Sequence, residues 1–188
     1  MPIIEAPQPS QVFATVDQAS SARSESRARP TWRWMWSHPW YLLALAGGAG
    51  LPRLAPGTWG TLLAWVSFVA LDPVMSDLRW GALLLAGVYF GAWAAQRAGE
   101  ALGESDSRHI VIDEVVAFWI VLWLLPAGHS GWLQALAFAL FRAFDIAKPP
   151  PIRHLEARFR NGFGVMLDDL VAAFFTLLVI AIGVRVFG

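Results

Sequence analysis

Five apolar stretches, near 59–75, 80–96, 110–126, 131–147 and 166–187, dominate this chain, and its charged and glycine-containing motifs sit at their ends rather than their middles. Few folds accept that pattern. In hydrocarbon every backbone N–H and C=O must find a partner within the protein, so apolar runs of this kind form helices. The 188-residue chain is 56% apolar and only 15% charged, too greasy for an ordinary soluble domain. We therefore expect an all-α integral membrane bundle of about five transmembrane helices. A shorter apolar run over 40–51 ends in Gly47-Gly48-Ala49-Gly50 and reads as a re-entrant or interfacial segment. Seven of the eleven tryptophans, Trp32, Trp34, Trp36, Trp40, Trp59, Trp80 and Trp132, stand near the start of an apolar run. Their amphipathic rings suit the membrane–water interface. Residues 1–30, rich in Ser, Ala, Pro and Arg without periodicity, are expected to form a disordered cytoplasmic tail ahead of a membrane-embedded domain over 31–188.

The strictly apolar cores at 115–125 and 132–140 are too short to cross a bilayer alone, which puts Asp113, Glu114, Arg142 and Asp145 in the terminal turns of their helices. Charge sets the orientation. With the amino terminus inside and five crossings, Arg79 and Arg185 alone fall outside, and the other twelve of the fourteen basic residues lie on the inner face, as cytoplasmic loops require. All the polar motifs then share that face. A formal net charge of zero gives no reason to expect a nucleic-acid partner. With no cysteine, disulfides, thiolate metal sites and cysteine nucleophiles are excluded.

The inner face carries two adjacent acidic pairs, Asp113-Glu114 and Asp168-Asp169, with Asp145 between them in sequence. One aspartate opening the last helix after Gly162-Phe163-Gly164 is explained by capping; a second is not. If the carboxylates converge, like charges about 4 Å apart cost on the order of 4 kcal/mol per pair at an interfacial dielectric. A bound divalent cation relieves that cost. Oxygen ligands without cysteine or a histidine pair point to Mg2+ rather than zinc. Arg142, Asp145 and Lys148 recur at a spacing of three, on one helical face, and Pro149-Pro150-Pro151 stiffens the approach to Arg153. That spacing fits a salt-bridge ladder as well as a phosphate site. Pro56-Gly57-Thr58, a glycine turn leading into a helix, adds backbone N–H groups and the Thr58 hydroxyl as anion donors. Glu100, Glu104 and Asp106 read as a solvated loop, and His38, His109, His129 and His154 as loop or interfacial residues.

At these motifs the chain resembles the phosphatidylglycerophosphatase A family, bacterial Mg2+-dependent membrane phosphatases that convert phosphatidylglycerophosphate to phosphatidylglycerol. The resemblance rests on PGTWGTLLA at 56–64, DEVVAFWI at 113–120, FRAFDIAKPPPI at 141–152 and NGFGVMLDDLVAA at 161–173. It covers the chain from about residue 47 onward. Ala117, Ala173, Thr61 and Asn161 depart from the family's usual small residues without removing a charged group. The resemblance implies a multi-pass enzyme of the bacterial inner membrane with a cytoplasmic active site and a phospholipid substrate. Mg2+ is expected on Asp113, Glu114, Asp168 and Asp169. Asp113, Asp145 and Asp169 are the expected catalytic carboxylates, Asp145 as a further ligand or the base that orients water, and Thr58, Arg142, Lys148 and Arg153 the expected phosphate grip. Water attack and a phospho-aspartate intermediate both stay open. The alternatives are a metal-dependent head-group phosphotransferase, which lacks a nucleotide site here, and an ion or anion carrier, which calls for charges in mid-span.

Overall fold

The computed structural model describes residues 29–104, 106–125, 131–148 and 161–187. The expected tail is therefore outside the described residues up to position 28, as are His129, the 149–151 prolines, Arg153 and His154. Among the described residues there are seven α-helices and no strand: α1 Trp32–Trp36, α2 Pro39–Ala44, α3 Pro56–Leu71, α4 Asp77–Leu102, α5 Ile112–Trp123, α6 Gly131–Ala147 and α7 Gly162–Phe187.

Local sequence sets most of the boundaries. Pro56 starts α3, where its missing N–H would have had no partner. The Ser76 hydroxyl caps α4 by accepting the Arg79 N–H at 3.4 Å, with Asp77 favouring the positive end of the helix. Lys148 precedes a proline, which disfavours a further helical residue, and α6 stops before it with Lys148 at φ 40. Two differences from the expected boundaries bear on the site. The second long helix continues past 96 to Leu102, so Glu100 is helical rather than in a loop. The last helix begins at Gly162, where Asn161 Oδ1 accepts the Gly164 N–H at 2.9 Å. Asn161 is the cap; Asp168 and Asp169 lie about two turns further in and are not capping groups.

The central element is α5, which packs against α3, α4, α6 and α7. Val116, Ala117, Phe118 and Val121 are wholly buried, and Phe118 meets Phe138 edge-on at 5.8 Å and Phe141 at 5.4 Å. At 12 residues α5 spans about 18 Å, well short of the roughly 30 Å of hydrocarbon in a bilayer. Of the five expected spans, two helices, Asp77–Leu102 and Gly162–Val186, are long and apolar enough to cross a membrane. The outer surface is apolar all the same: Val66, Leu85, Tyr89, Phe174 and Ile182 are each more than half exposed, a distribution that water penalises and lipid does not.

The two ends of the bundle carry different chemistry. At one end indoles close the helix ends, Trp80 donating to Asp72 at 3.1 Å and Trp123 to Asp77 at 3.3 Å. Trp80 is buried at 1% exposure, so it is a core residue of that end rather than an interfacial anchor, unlike Trp32, Trp59 and Trp132. At the other end meet the starts of α3, α5 and α7 and the ends of α4 and α6. The run expected to be re-entrant forms α2 and a 3-10 turn, Ala46–Gly48, tied to the segment before α5. Val111 N–H donates to the Ala44 carbonyl at 2.9 Å, and buried His109 places Nδ1 2.6 Å from the Gly50 carbonyl oxygen. A Cβ on Gly50 would overlap the His109 carbonyl oxygen, so this approach requires glycine.

Candidate active site

Asp113 and Glu114 project from the first turn of α5, and Asp169 from α7. One carboxylate oxygen from each of the three lies within 4.8 Å of the others. Asp113 is 7% exposed and Asp169 4%, while the Glu114 side chain is 12% exposed. Three ionised carboxylates at such spacing repel by about 3 kcal/mol per pair at an effective dielectric of 20. Asp113 Oδ1, Glu114 Oε2 and Asp169 Oδ2 are moreover buried with no hydrogen-bond partner among the described residues. Buried oxygens left this way are rare in folded proteins and mark a position for something else.

Facing them is Arg142 of α6. Its Nη1 is 2.6 Å from Asp145 Oδ2, 3.8 Å from Glu114 Oε1 and 3.4 Å from Thr61 Oγ1. Its Nε is a buried donor that finds no acceptor among the described residues. Asp145 also neighbours Asp113 and Asp169 electrostatically, which links the arginine to the carboxylate cluster. Thr61, wholly buried, donates to the Gly57 carbonyl at 2.9 Å while receiving Arg142. A Cβ at Gly57 would fall on Glu114 Oε1, with the two Arg142 terminal nitrogens 3.0 and 3.1 Å away. Gly57 is thus the space in which Glu114 and Arg142 meet. Sequence reading missed both Thr61 and this use of Gly57; a hydroxyl one helical turn after a glycine was the available signal.

The adjacent aspartates part company. Successive residues on a helix are about 100° apart, so Asp169 turns into the carboxylate cluster while Asp168 turns toward α6. There Asp168 Oδ2 lies 3.7 Å from Lys148 Nζ, and the same ammonium is 4.0 Å from Asp106 Oδ2. Asp106, expected in a solvated loop, is therefore paired with a site residue. The Thr58 turn offers less backbone than expected, because the Thr58 and Trp59 N–H groups both donate to the Ala55 carbonyl, at 2.9 and 3.3 Å. Pro56 has no N–H at all. Asp113, Glu114, Asp145, Asp169 and Arg142 converge; Asp168 and Lys148 flank them as a second pair, and Thr58 stands at the edge, partly exposed. Arg153 lies outside the described residues.

Residues 42–184 match the family described as Phosphatidylglycerophosphatase A. The chain is 38% identical over 143 residues to phosphatidylglycerophosphatase A of Haemophilus influenzae, covering 76% of this chain and 87% of that protein. It is 35% identical over 136 residues to phosphatidylglycerophosphatase A of Escherichia coli, covering 72% and 78%. A Bacteroides thetaiotaomicron protein, provisionally named phosphatidylinositol-3-phosphatase, is 40% identical over 158 residues, or 80% of this chain and 98% of that one. No solved structure matches the chain.

Proposed function

The chain belongs to the phosphatidylglycerophosphatase A family, and from that premise we propose that it hydrolyses the terminal phosphate of phosphatidylglycerophosphate to give phosphatidylglycerol in bacterial phospholipid biosynthesis. One observation carries the reading. Carboxylate oxygens of Asp113, Glu114 and Asp169 that have no partner among the described residues stand in the same cluster as the Nε donor of Arg142, which likewise finds none there. The first set calls for a cation and the second for an anion, and a phosphate with its divalent metal supplies both.

Asp113, Glu114 and Asp169 would hold Mg2+, an all-oxygen donor set of the kind a hard cation prefers. When bound, the ion supplies Lewis-acid polarisation of the phosphoryl group and offsets its charge. The chain's own residues do the rest. Arg142, already aimed by Asp145 and Thr61, grips the phosphate through its Nε edge, which finds no acceptor among the described residues. Lys148 adds a second positive charge from the end of α6 and Thr58 a contact at the edge, and Arg153 stays a phosphate contact proposed from the sequence alone. Asp145 accepts the proton of the attacking water as its oxygen bonds to phosphorus, and gives a proton to the phosphatidylglycerol oxygen as the P–O bond to the lipid breaks. A carrier would need these charges along a path through the bundle, whereas they collect at one end of it.

A direct test is phosphate release from phosphatidylglycerophosphate by the purified protein in detergent. Activity is expected with Mg2+ and loss of at least about a hundredfold in a chelator. In the absence of substrate, Mg2+ should also raise the melting temperature, since it binds the folded cluster alone. Full activity in chelator would remove the metal from the reading. Phosphatidylinositol 3-phosphate belongs in the same assay because of the Bacteroides relative; preference for it would keep the chemistry and change the substrate.

For the membrane we propose five crossings, with α5 shielded by its neighbours, the amino terminus and the site on the cytoplasmic side of the bacterial inner membrane. The twelve-to-two division of basic residues and the apolar outer surface support it. In intact cells a cysteine replacing Ser76 should react with a membrane-impermeant thiol reagent, and one replacing Ser105 should not. The opposite labelling would invert the topology.

A further inference from the structure

We propose that Asp106 is a positioning residue for the reaction, one that acts through Lys148. The proposal rests on the reading of Lys148 as a phosphate contact. Lys148 is the residue just beyond α6, at φ 40, and it carries a flexible four-carbon stem with a compact charge, so its position depends on what surrounds it. Two carboxylates from two other elements lie within 4.0 Å of that charge. Asp168 of α7 is 3.7 Å from Nζ and Asp106, in the segment between α4 and α5, is 4.0 Å from it.

The three side chains form a gradient of exposure, 8% for Asp168, 30% for Lys148 and 55% for Asp106. Asp168 alone would draw the ammonium inward toward the carboxylate cluster. Asp106, the more exposed of the two, favours a place for the ammonium nearer solvent, so that the pair together keeps it at the boundary between the buried cluster and the water from which a phosphate arrives. A group that positions another needs a rigid mount, and the segment bearing Asp106 has one. Ser107 and His109 are buried, Ile110 N–H donates to the Ser107 carbonyl at 2.8 Å, and His109 and Val111 are bonded to the Gly50 and Ala44 carbonyls.

An exposed ion pair contributes little to folding stability, so a purely structural Asp106 would be nearly silent on substitution. The positioning role predicts otherwise. With phosphatidylglycerophosphate and Mg2+, Asp106→Asn should lower kcat/KM about tenfold, largely through KM, with the melting temperature unchanged, and Asp106→Glu should restore most of the loss. In a Lys148→Ala background Asp106→Asn should have no further effect, because the group through which it acts is gone. Wild-type kcat/KM in Asp106→Asn, or the same tenfold loss in both backgrounds, would overturn the proposal while leaving Lys148 in the site. Wild-type activity of Lys148→Ala itself would instead defeat the phosphate contact on which the proposal stands.

Discussion

Asp169→Asn is expected to reduce hydrolysis of phosphatidylglycerophosphate by at least about a hundredfold, since outer-shell changes around a metal already cost ten- to a hundredfold and this one removes a ligand charge. Asp113→Asn should behave alike. The protein should not unfold in compensation. Without a cation the three carboxylates within 4.8 Å repel one another, so each substitution relieves two repulsive pairs and should raise the melting temperature measured in chelator, by about 1 kcal/mol or more of stability. In the wild type Mg2+ should raise the melting temperature, and in the variants that rise should largely vanish. Activity loss with a retained Mg2+ shift would mean that the aspartates serve the reaction in some way other than holding the ion. An active Asp169→Asn protein would end the metal reading.

Gly57→Ala should be nearly as damaging, and for a reason that contains no charge at all. The added methyl would occupy the place of Glu114 Oε1 and crowd both terminal nitrogens of Arg142. Glu114 and Arg142 must then separate, which spoils the carboxylate cluster and the guanidinium together. Misplacement of catalytic groups by about 1 Å can cost around a hundredfold, and a loss of that order is expected. Alanine is the better helix former by up to about 1 kcal/mol, so helix propensity predicts a change of the opposite sign in stability. Gly81→Ala on α4, where nothing lies within 4 Å of the new methyl, is the control and should be neutral or mildly stabilising with activity intact. Equal activity of Gly57→Ala and Gly81→Ala would show that the Glu114–Arg142 meeting point is not used in turnover.

What the chain's residues determine by themselves is the class of structure and the end of the bundle at which the chemistry lies. Apolar runs interrupted only at their ends can be solved only by helices, and the ends that carry Asp113, Glu114, Arg142, Asp145 and Asp169 meet at one end of the bundle because successive helices alternate in direction. Helix direction and charge sign are local properties, so they can be read along the chain. Rotation and depth are not. Whether Asp168 or Asp169 enters the cluster depends on how α7 is turned against α5 and α6, and a 100° step separates a carboxylate among carboxylates from one beside Lys148. The placement of α3 against α5 and α6 decides that Gly57 is a space for Glu114 and that Thr61 reaches Arg142. The anchoring of residues 107–111 to Ala44 and Gly50 brings Asp106 to Lys148 across some forty positions of sequence. Likewise α5, the shortest of the five long helices, is central because four helices surround it. Each of these follows from packing between distant segments, where the contacts that fix an angle belong to both partners and to neither sequence alone.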